Sequence, residues 1–141
     1  MDCKFVKRSF FQRVFGVSET KKPTVANCWE YEDGKLVINL HEASELRTPG
    51  GAIRFEGGNL PVRVLVVCGE GGEYRAYRNQ CTHFGHRRLD PVPGTNTVQC
   101  CSINKSTFDS SGNTIFGPAP HSIHCYPVEK DQEKLIVLIS E

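Results

Sequence analysis

The alternation of apolar and polar positions predicts short β-strands along most of the chain. Residues 27–32 and 35–40 alternate in this way, and Asp33-Gly34 between them is typical of a tight hairpin turn. Residues 62–68 form an apolar run and residues 73–78 alternate again, with glycine-rich turns nearby. Strands this short and regularly spaced predict an all-β fold, either an antiparallel sandwich or a partly open barrel.

Helical signals are confined to two places. Residues 41–47 are compatible with one helical turn. Near the N-terminus, apolar residues recur with helical spacing at Val6, Phe10, Phe11, Val14 and Phe15. The pattern predicts an amphipathic helix and linker over residues 1–24, followed by one domain over residues 25–141. The helix is expected to dock on the domain, or alternatively to bind a membrane surface or a partner.

Composition and charge exclude several classes of protein. The 141 residues carry a formal net charge of +1 and contain no long basic run, which gives no electrostatic reason to expect nucleic-acid binding. No apolar stretch approaches the roughly 20 residues that a transmembrane helix needs. Seven cysteines, an odd number in a chain of ordinary core composition, fit a reducing compartment. We therefore expect a cytoplasmic protein.

Two short segments carry the candidate chemistry. The first contains Cys81 and His83, spaced by one residue, and the second contains Cys101 and, three positions later, Asn104. A thiolate and an imidazole spaced in this way on a tight loop can point toward the same metal pair. The residues 106–120 that follow include Ser106, a Phe-Asp pair, a glycine turn and a Gly-Pro-Ala-Pro sequence.

This order of motifs resembles the Rieske [2Fe–2S] family, whose pattern is Cys-x-His, a spacer, then Cys-x-x-His. The resemblance extends from about residue 46 to residue 139, with the cluster-binding loops at about residues 80–120. It implies that two loops project side by side from an all-β base and bring Cys81, His83 and Cys101 together as ligands of iron. It also implies that Ser106 donates a hydrogen bond to the cluster.

The fourth ligand position carries Asn104 where the family has histidine. A carboxamide is a much poorer ligand for iron than an imidazole, which leaves three interpretations. A [2Fe–2S] cluster can bind with Cys100, His86 or Asn104 itself as the fourth donor. The site can instead be cluster-free, as in a binding module or an accessory subunit of a redox enzyme, or the three remaining ligands can hold one iron or zinc ion.

The remaining cysteines have a simpler interpretation. Cys100 precedes the second ligand loop, where strand alternation turns its side chain toward the base. Burial as a small hydrophobe is therefore favoured over a ligand role or a vicinal disulfide. Core packing is also the prediction for Cys3, Cys28, Cys68 and Cys125.

The implied function is transfer of single electrons between protein partners, as a component of an oxidoreductase system rather than a stand-alone enzyme. Phe108 stands where high-potential members of the family carry tyrosine, which implies a low reduction potential. The partners implied are a reductase or a terminal oxidoreductase. Arg87, Arg88 and Lys105 flank the loops and are either solvated surface or a docking patch for an acidic partner.

Overall fold

The chain folds into short antiparallel strands in three sheets. A computed structural model describes residues 20–80, 88–92, 94–100, 106–117 and 122–139. The strands are β1 Trp29–Glu32, β2 Lys35–Asn39, β3 Ala52–Phe55, β4 Val64–Cys68, β5 Tyr74–Arg78, β6 Leu89–Pro91, β7 Val98–Cys100, β8 Thr107–Phe108, β9 Thr114–Phe116, β10 Cys125–Tyr126, β11 Val128–Asp131 and β12 Lys134–Leu138. A 3₁₀ turn spans Ser44–Arg47. The predicted all-β class and the predicted helical turn are confirmed.

The first sheet has the strand order β1-β2-β12-β11 and contains the predicted hairpin. Strand β1 pairs antiparallel with β2, with Trp29 opposite Ile38 and Glu32 opposite Lys35. The turn residues have positive backbone φ angles, 52° at Asp33 and 77° at Gly34. Asparagine, aspartate and glycine tolerate this conformation best, which explains why an Asp-Gly pair fixes the register here.

The second sheet, in the order β10-β5-β4-β3, lies between the two hydrophobic cores. All five residues of β4 are buried. Val64 and Val66 belong to a first core shared with the first sheet, whereas Leu65 and Val67 belong to a second core shared with the third sheet. An apolar strand without alternation is the pattern that burial on both faces requires.

The third sheet, in the order β6-β7-β8-β9, covers the second core. Leu89, Val98, Cys100 and Phe108 all point into that core. The intervening residues Asp90, Gln99 and Thr107 face the other way, because successive side chains in a strand alternate between faces. These three polar residues are also buried. Strands β5 and β6 flank the first ligand segment, and β7 and β8 flank the second.

Two predictions concern helices. The predicted helix near the N-terminus lies outside the described residues, which begin at Thr20. In the described part of the chain, no helix has the length and apolar character that crossing a membrane requires.

The cysteine predictions are confirmed except at one described position. Cys28, Cys68 and Cys100 are buried, whereas Cys125 is exposed. The prediction of core packing for Cys125 is therefore wrong, because Cys125 precedes the buried Tyr126 on an edge strand and points to the opposite face. Cys3 lies outside the described residues.

Candidate metal centre

The third sheet brings the C-terminal end of the first ligand segment next to both ends of the second. Leu89, the first residue of β6, is the cross-strand partner of Cys100, the last residue of β7. The backbone N–H of Cys100 donates to the carbonyl of Ser106 at 2.7 Å, which joins the strand before the second segment to the residue after it. The two segments therefore leave the sheet from adjacent strand ends. This is the arrangement that the predicted site requires.

Apart from the candidate donor Cys100, the predicted ligands lie outside the described residues. Cys81, His83 and the candidate donor His86 fall within residues 81–87, and Cys101 and Asn104 fall within residues 101–105. Among the residues that the structure does describe, no group of three or more histidine, cysteine, aspartate or glutamate side chains is placed to hold a metal ion. The site must therefore be judged from the residues that surround the two segments.

Ser106, the predicted hydrogen-bond donor to the cluster, is among the site residues that the structure describes. It is fully buried, and its Oγ has no hydrogen-bond partner among the described residues. An unsatisfied buried hydroxyl costs about 1–3 kcal/mol, so proteins seldom retain one without a reason. Ser106 therefore presents a buried donor directly after the second ligand segment.

Gly117 lies against Ser106 and was not identified as a separate site residue from the sequence. Its φ angle is +89°, and a β-carbon placed on it would lie 2.6 Å from the Cα of Ser106 and 3.0 Å from its Oγ. Only glycine fits this position, because both the backbone conformation and the space exclude a side chain. The sequence signal was its place at the start of the Gly-Pro-Ala-Pro sequence.

Asn79 links the two ends of the first ligand segment, and it was not identified from the sequence. It is fully buried, and its Oδ1 accepts a hydrogen bond from the backbone N–H of Leu89 at 2.6 Å. Its own N–H donates to the carbonyl of Arg63 at 2.8 Å. The carboxamide thus ties the residue at the end of β5 to the first residue of β6. No sequence pattern distinguishes this asparagine from one in a turn.

Arg88 forms an ion pair with Glu56, which directly follows β3 of the second sheet. Its Nε and a terminal nitrogen donate to the two carboxylate oxygens of Glu56 at 2.9 and 2.6 Å. Arg54 contacts the same carboxylate at 3.1 Å. Burial alone would raise the pKa of Glu56, but the hydrogen bond and charge of Arg88, with the charge of Arg54, lower it overall.

This ion pair changes the interpretation of the predicted basic rim. The guanidinium of Arg88 lies beside an ionised carboxylate, so much of its charge is balanced within the molecule. The other two members of the rim, Arg87 and Lys105, lie outside the described residues. A docking patch for an acidic partner that depends on all three charges stays a prediction.

Cys100 and Phe108, two further predicted residues, both lie in the second core. Neither has any exposed surface, and they pack together with Leu89 and Val98. The predicted burial of Cys100 is confirmed.

Comparison with known proteins identifies the family. A family model described as the Rieske [2Fe-2S] domain matches residues 36–127. The chain belongs to the Rieske [2Fe-2S] domain family. Members of this family bind a [2Fe–2S] cluster, so the cofactor and the electron-transfer role that the sequence predicted are those of the family. A search of curated protein sequences finds no significant match.

Solved structures show the same fold. The ferredoxin of carbazole 1,9a-dioxygenase from Nocardioides aromaticivorans IC177 is 21% identical with a TM-score of 0.55, and the match covers 66% of this chain and 88% of that one. A chain of the structure described as a complex of reduced oxygenase and oxidized ferredoxin in carbazole 1,9a-dioxygenase is 17% identical with a TM-score of 0.53. That match covers 64% of this chain and 82% of the other. The quaternary ammonium Rieske monooxygenase CntA, in complex with gamma-butyrobetaine, is 19% identical with a TM-score of 0.54. That match covers 91% of this chain but only 34% of CntA.

Proposed function

We propose that this protein passes single electrons between protein partners through a [2Fe–2S] cluster held by Cys81, His83, Cys101 and one further donor. When bound, the cluster supplies a one-electron redox couple. The single observation that carries the proposal is the buried Ser106 hydroxyl without a partner among the described residues, directly after the second ligand segment.

The residues around the site fit a cluster in two respects. Within the described part of the chain the Ser106 hydroxyl has no acceptor. A sulfide or thiolate sulfur beside it would accept its hydrogen bond, which would offset the cost of burying the hydroxyl. Gly117 brings the backbone against Ser106 without a side chain, which holds the hydroxyl in place. The described residues therefore act by orienting a buried donor.

The identity of the fourth donor is part of the proposal. Cys100 is packed in the second core with no exposed surface, and it pairs with Leu89 of the neighbouring strand β6. Its use as a ligand would require the side chain to leave that core and leave a cavity behind. This supports Asn104 itself or His86 as the donor.

The proposed partners are a reductase and a terminal oxidoreductase. One structurally similar ferredoxin was solved together with an oxygenase, so a docked complex of this kind is a model for the interaction. The cytoplasm is the proposed location. Cys28, Cys68, Cys100 and Cys125 carry thiols rather than disulfides, as expected in a reducing compartment.

A second function is favoured by one observation, the neutral carboxamide of Asn104 at a ligand position. In this alternative the protein is a cluster-free binding module or accessory subunit, and Asn104 replaces one hydrogen bond of the lost imidazole. The alternative gives the Ser106 hydroxyl no acceptor among the residues that the structure describes, and for this reason we favour the cluster-bound form.

Cysteine variants test the proposal with an internal control. Cys81→Ser and Cys101→Ser should each abolish the visible absorption and the iron content of anaerobically purified protein. Cys125→Ser should change neither, because Cys125 is an exposed thiol on β10. Colour retained in the Cys81 and Cys101 variants would overturn the proposed ligand set.

The fourth donor is identified by three further variants. His86→Ala or Cys100→Ser should bleach the protein if that residue is the donor, and the proposal predicts that Cys100→Ser does not. Asn104→His should give the optical and magnetic spectra of an ordinary Rieske centre, because it restores the second imidazole. If Asn104→His left the spectra unchanged, the assignment of Asn104 to the ligand position would be wrong.

A further inference from the structure

We propose that Asn79 is a positioning residue for the cluster. Its carboxamide oxygen fixes the end of the first ligand segment, and its carboxamide nitrogen is held for an acceptor that the loaded site supplies. The inference rests on the proposed function, because it assigns this side chain a role in holding the metal centre.

The first half of the inference follows from the hydrogen bonds of Asn79. The residue lies two positions before Cys81, and its Oδ1 accepts from the N–H of Leu89 at 2.6 Å, ten residues later. Leu89 in turn pairs with Cys100, one position before Cys101. One side chain therefore sets the spacing between the two ends of the first segment. It also ties that spacing to the strand that leads into the second.

Asn79 is itself fixed by the chain behind it. Its backbone N–H donates to the carbonyl of Arg63 at 2.8 Å, and its side chain has no exposed surface. A buried group held on both sides loses little further entropy when it positions another element. The carboxamide is therefore suited to positioning Leu89 with high precision.

The second half follows from the nitrogen of the same carboxamide. Nδ2 of Asn79 is buried and has no hydrogen-bond partner among the residues that the structure describes. Two N–H donors left in this state are destabilising by about 1–3 kcal/mol, whereas an apolar side chain of the same size would avoid that cost. Like the hydroxyl of Ser106, this donor has a use if the bound cluster or its ligands provide the acceptor.

Two variants separate the oxygen from the nitrogen. Asn79→Asp keeps an acceptor for Leu89 but removes the donor at neutral pH, whereas Asn79→Leu removes both. Asn59→Leu is the matched control, because Asn59 is an exposed asparagine whose Nδ2 donates to the carbonyl of Tyr31 at 2.8 Å, away from the ligand segments. Each protein is purified anaerobically, and iron release to a chelator is followed at neutral pH. In the cluster-free form, exchange of the Leu89 amide proton is measured by NMR.

Both Asn79 variants should release iron at least on the order of tenfold faster than the wild type, the usual size of effects from residues behind the ligands. Leu89 exchange should accelerate in Asn79→Leu but not in Asn79→Asp, and Asn59→Leu should match the wild type in both measurements.

If Asn79→Leu does not fold, iron release from Asn79→Asp alone tests the inference. Iron release from Asn79→Asp at the wild-type rate would overturn the role of the nitrogen. Unchanged Leu89 exchange in a folded Asn79→Leu would overturn the role of the oxygen. A wild-type protein without iron would instead overturn the proposed function, and this inference with it.

Discussion

Gly117 lies so close to Ser106 that a β-carbon at residue 117 would come within 2.6 Å of the serine Cα. Ser106 begins the return from the second ligand segment, and Gly117 directly follows β9 as the first residue of the Gly-Pro-Ala-Pro sequence. The contact therefore joins two parts of the chain that surround the proposed centre. Backbone atoms form much of it, so it cannot be relieved by rotating a side chain.

Gly117→Ala should destabilise the protein more than replacing a glycine where alanine meets only backbone strain and no steric contact. Gly72 is the matched control, because its φ of +85° is close to the +89° of Gly117, but no described atom lies within 4 Å of the place that a β-carbon would occupy. Both alanine variants carry the cost of a left-handed conformation, about 1 kcal/mol. Gly117→Ala should cost about 1–3 kcal/mol more, from overpacking against Ser106. Urea unfolding of the cluster-free proteins measures the difference in their free energies of unfolding. Equal losses of stability in the two variants would contradict the expected overpacking against Ser106.

Ser106→Ala should lower the reduction potential without weakening the fold. Hydrogen bonds to cluster sulfurs stabilise the reduced, more negative form, so removing one favours the oxidised form. A hydrogen bond of about 0.5–1.5 kcal/mol corresponds to about 20–60 mV for one electron. The cluster-free variant should be at least as stable as the wild type, because it loses a buried hydroxyl that has no partner among the described residues.

Redox titration and urea unfolding check the two halves of this prediction. Ser44→Ala is the control, because Ser44 is exposed and its hydroxyl donates to the carboxylate of Glu45 at 3.4 Å, away from the ligand segments. An unchanged potential in Ser106→Ala would show that the hydroxyl does not donate to the cluster.

Phe108→Tyr should raise the potential. Phe108 is fully buried in β8, two residues after Ser106. The sequence resemblance aligns it with the tyrosine that high-potential members of the family carry. A phenolic hydroxyl that donates to a ligand sulfur would shift the potential upward by about 20–60 mV, by the same reasoning as for Ser106. Phe55→Tyr adds a hydroxyl in the first core instead and should leave the potential unchanged. Equal potentials in all three proteins would contradict the proposed placement of Phe108.

Stability at acidic pH should depend on Glu56. The pKa of Glu56 is lower in the folded protein, so its stabilising contribution is complete above the ordinary glutamate value of about 4.3. The contribution is lost as the pH falls through the lowered folded pKa. In Glu56→Gln the free energy of unfolding should therefore fall less steeply with decreasing pH in this acidic range. Urea unfolding at a series of pH values measures it. Glu32→Gln, at an exposed position in β1, should keep the wild-type profile. A steep wild-type profile in Glu56→Gln would assign the acid sensitivity to other groups.

The fold was predictable where local signals and burial agree. Asp33-Gly34 determined the hairpin because its turn needs positive φ angles at both residues. The apolar run at residues 62–68 predicted a buried strand, and β4 Val64–Cys68 packs into both cores. Cys125 was mispredicted because a two-residue edge strand gives too short an alternation to show which face is buried.

The surroundings of the site could not be predicted, because they depend on long-range contacts. Glu56 and Arg88 are 32 residues apart in sequence, and nothing in either segment indicates that they meet. Asn79 likewise acts through Leu89, a residue with no polar side chain, by accepting from its backbone. Only the three-dimensional arrangement shows that Ser106 and Asn79 each retain a buried donor near the ends of the ligand segments.

Iron and acid-labile sulfide in anaerobically purified wild-type protein test the central claim most directly. The proposed centre predicts about two iron atoms and two sulfides per chain, with loss of both in Cys81→Ser. Colourless protein that contains neither iron nor sulfide would contradict the claim and support the cluster-free alternative. One metal ion per chain without sulfide would contradict it in favour of a mononuclear site.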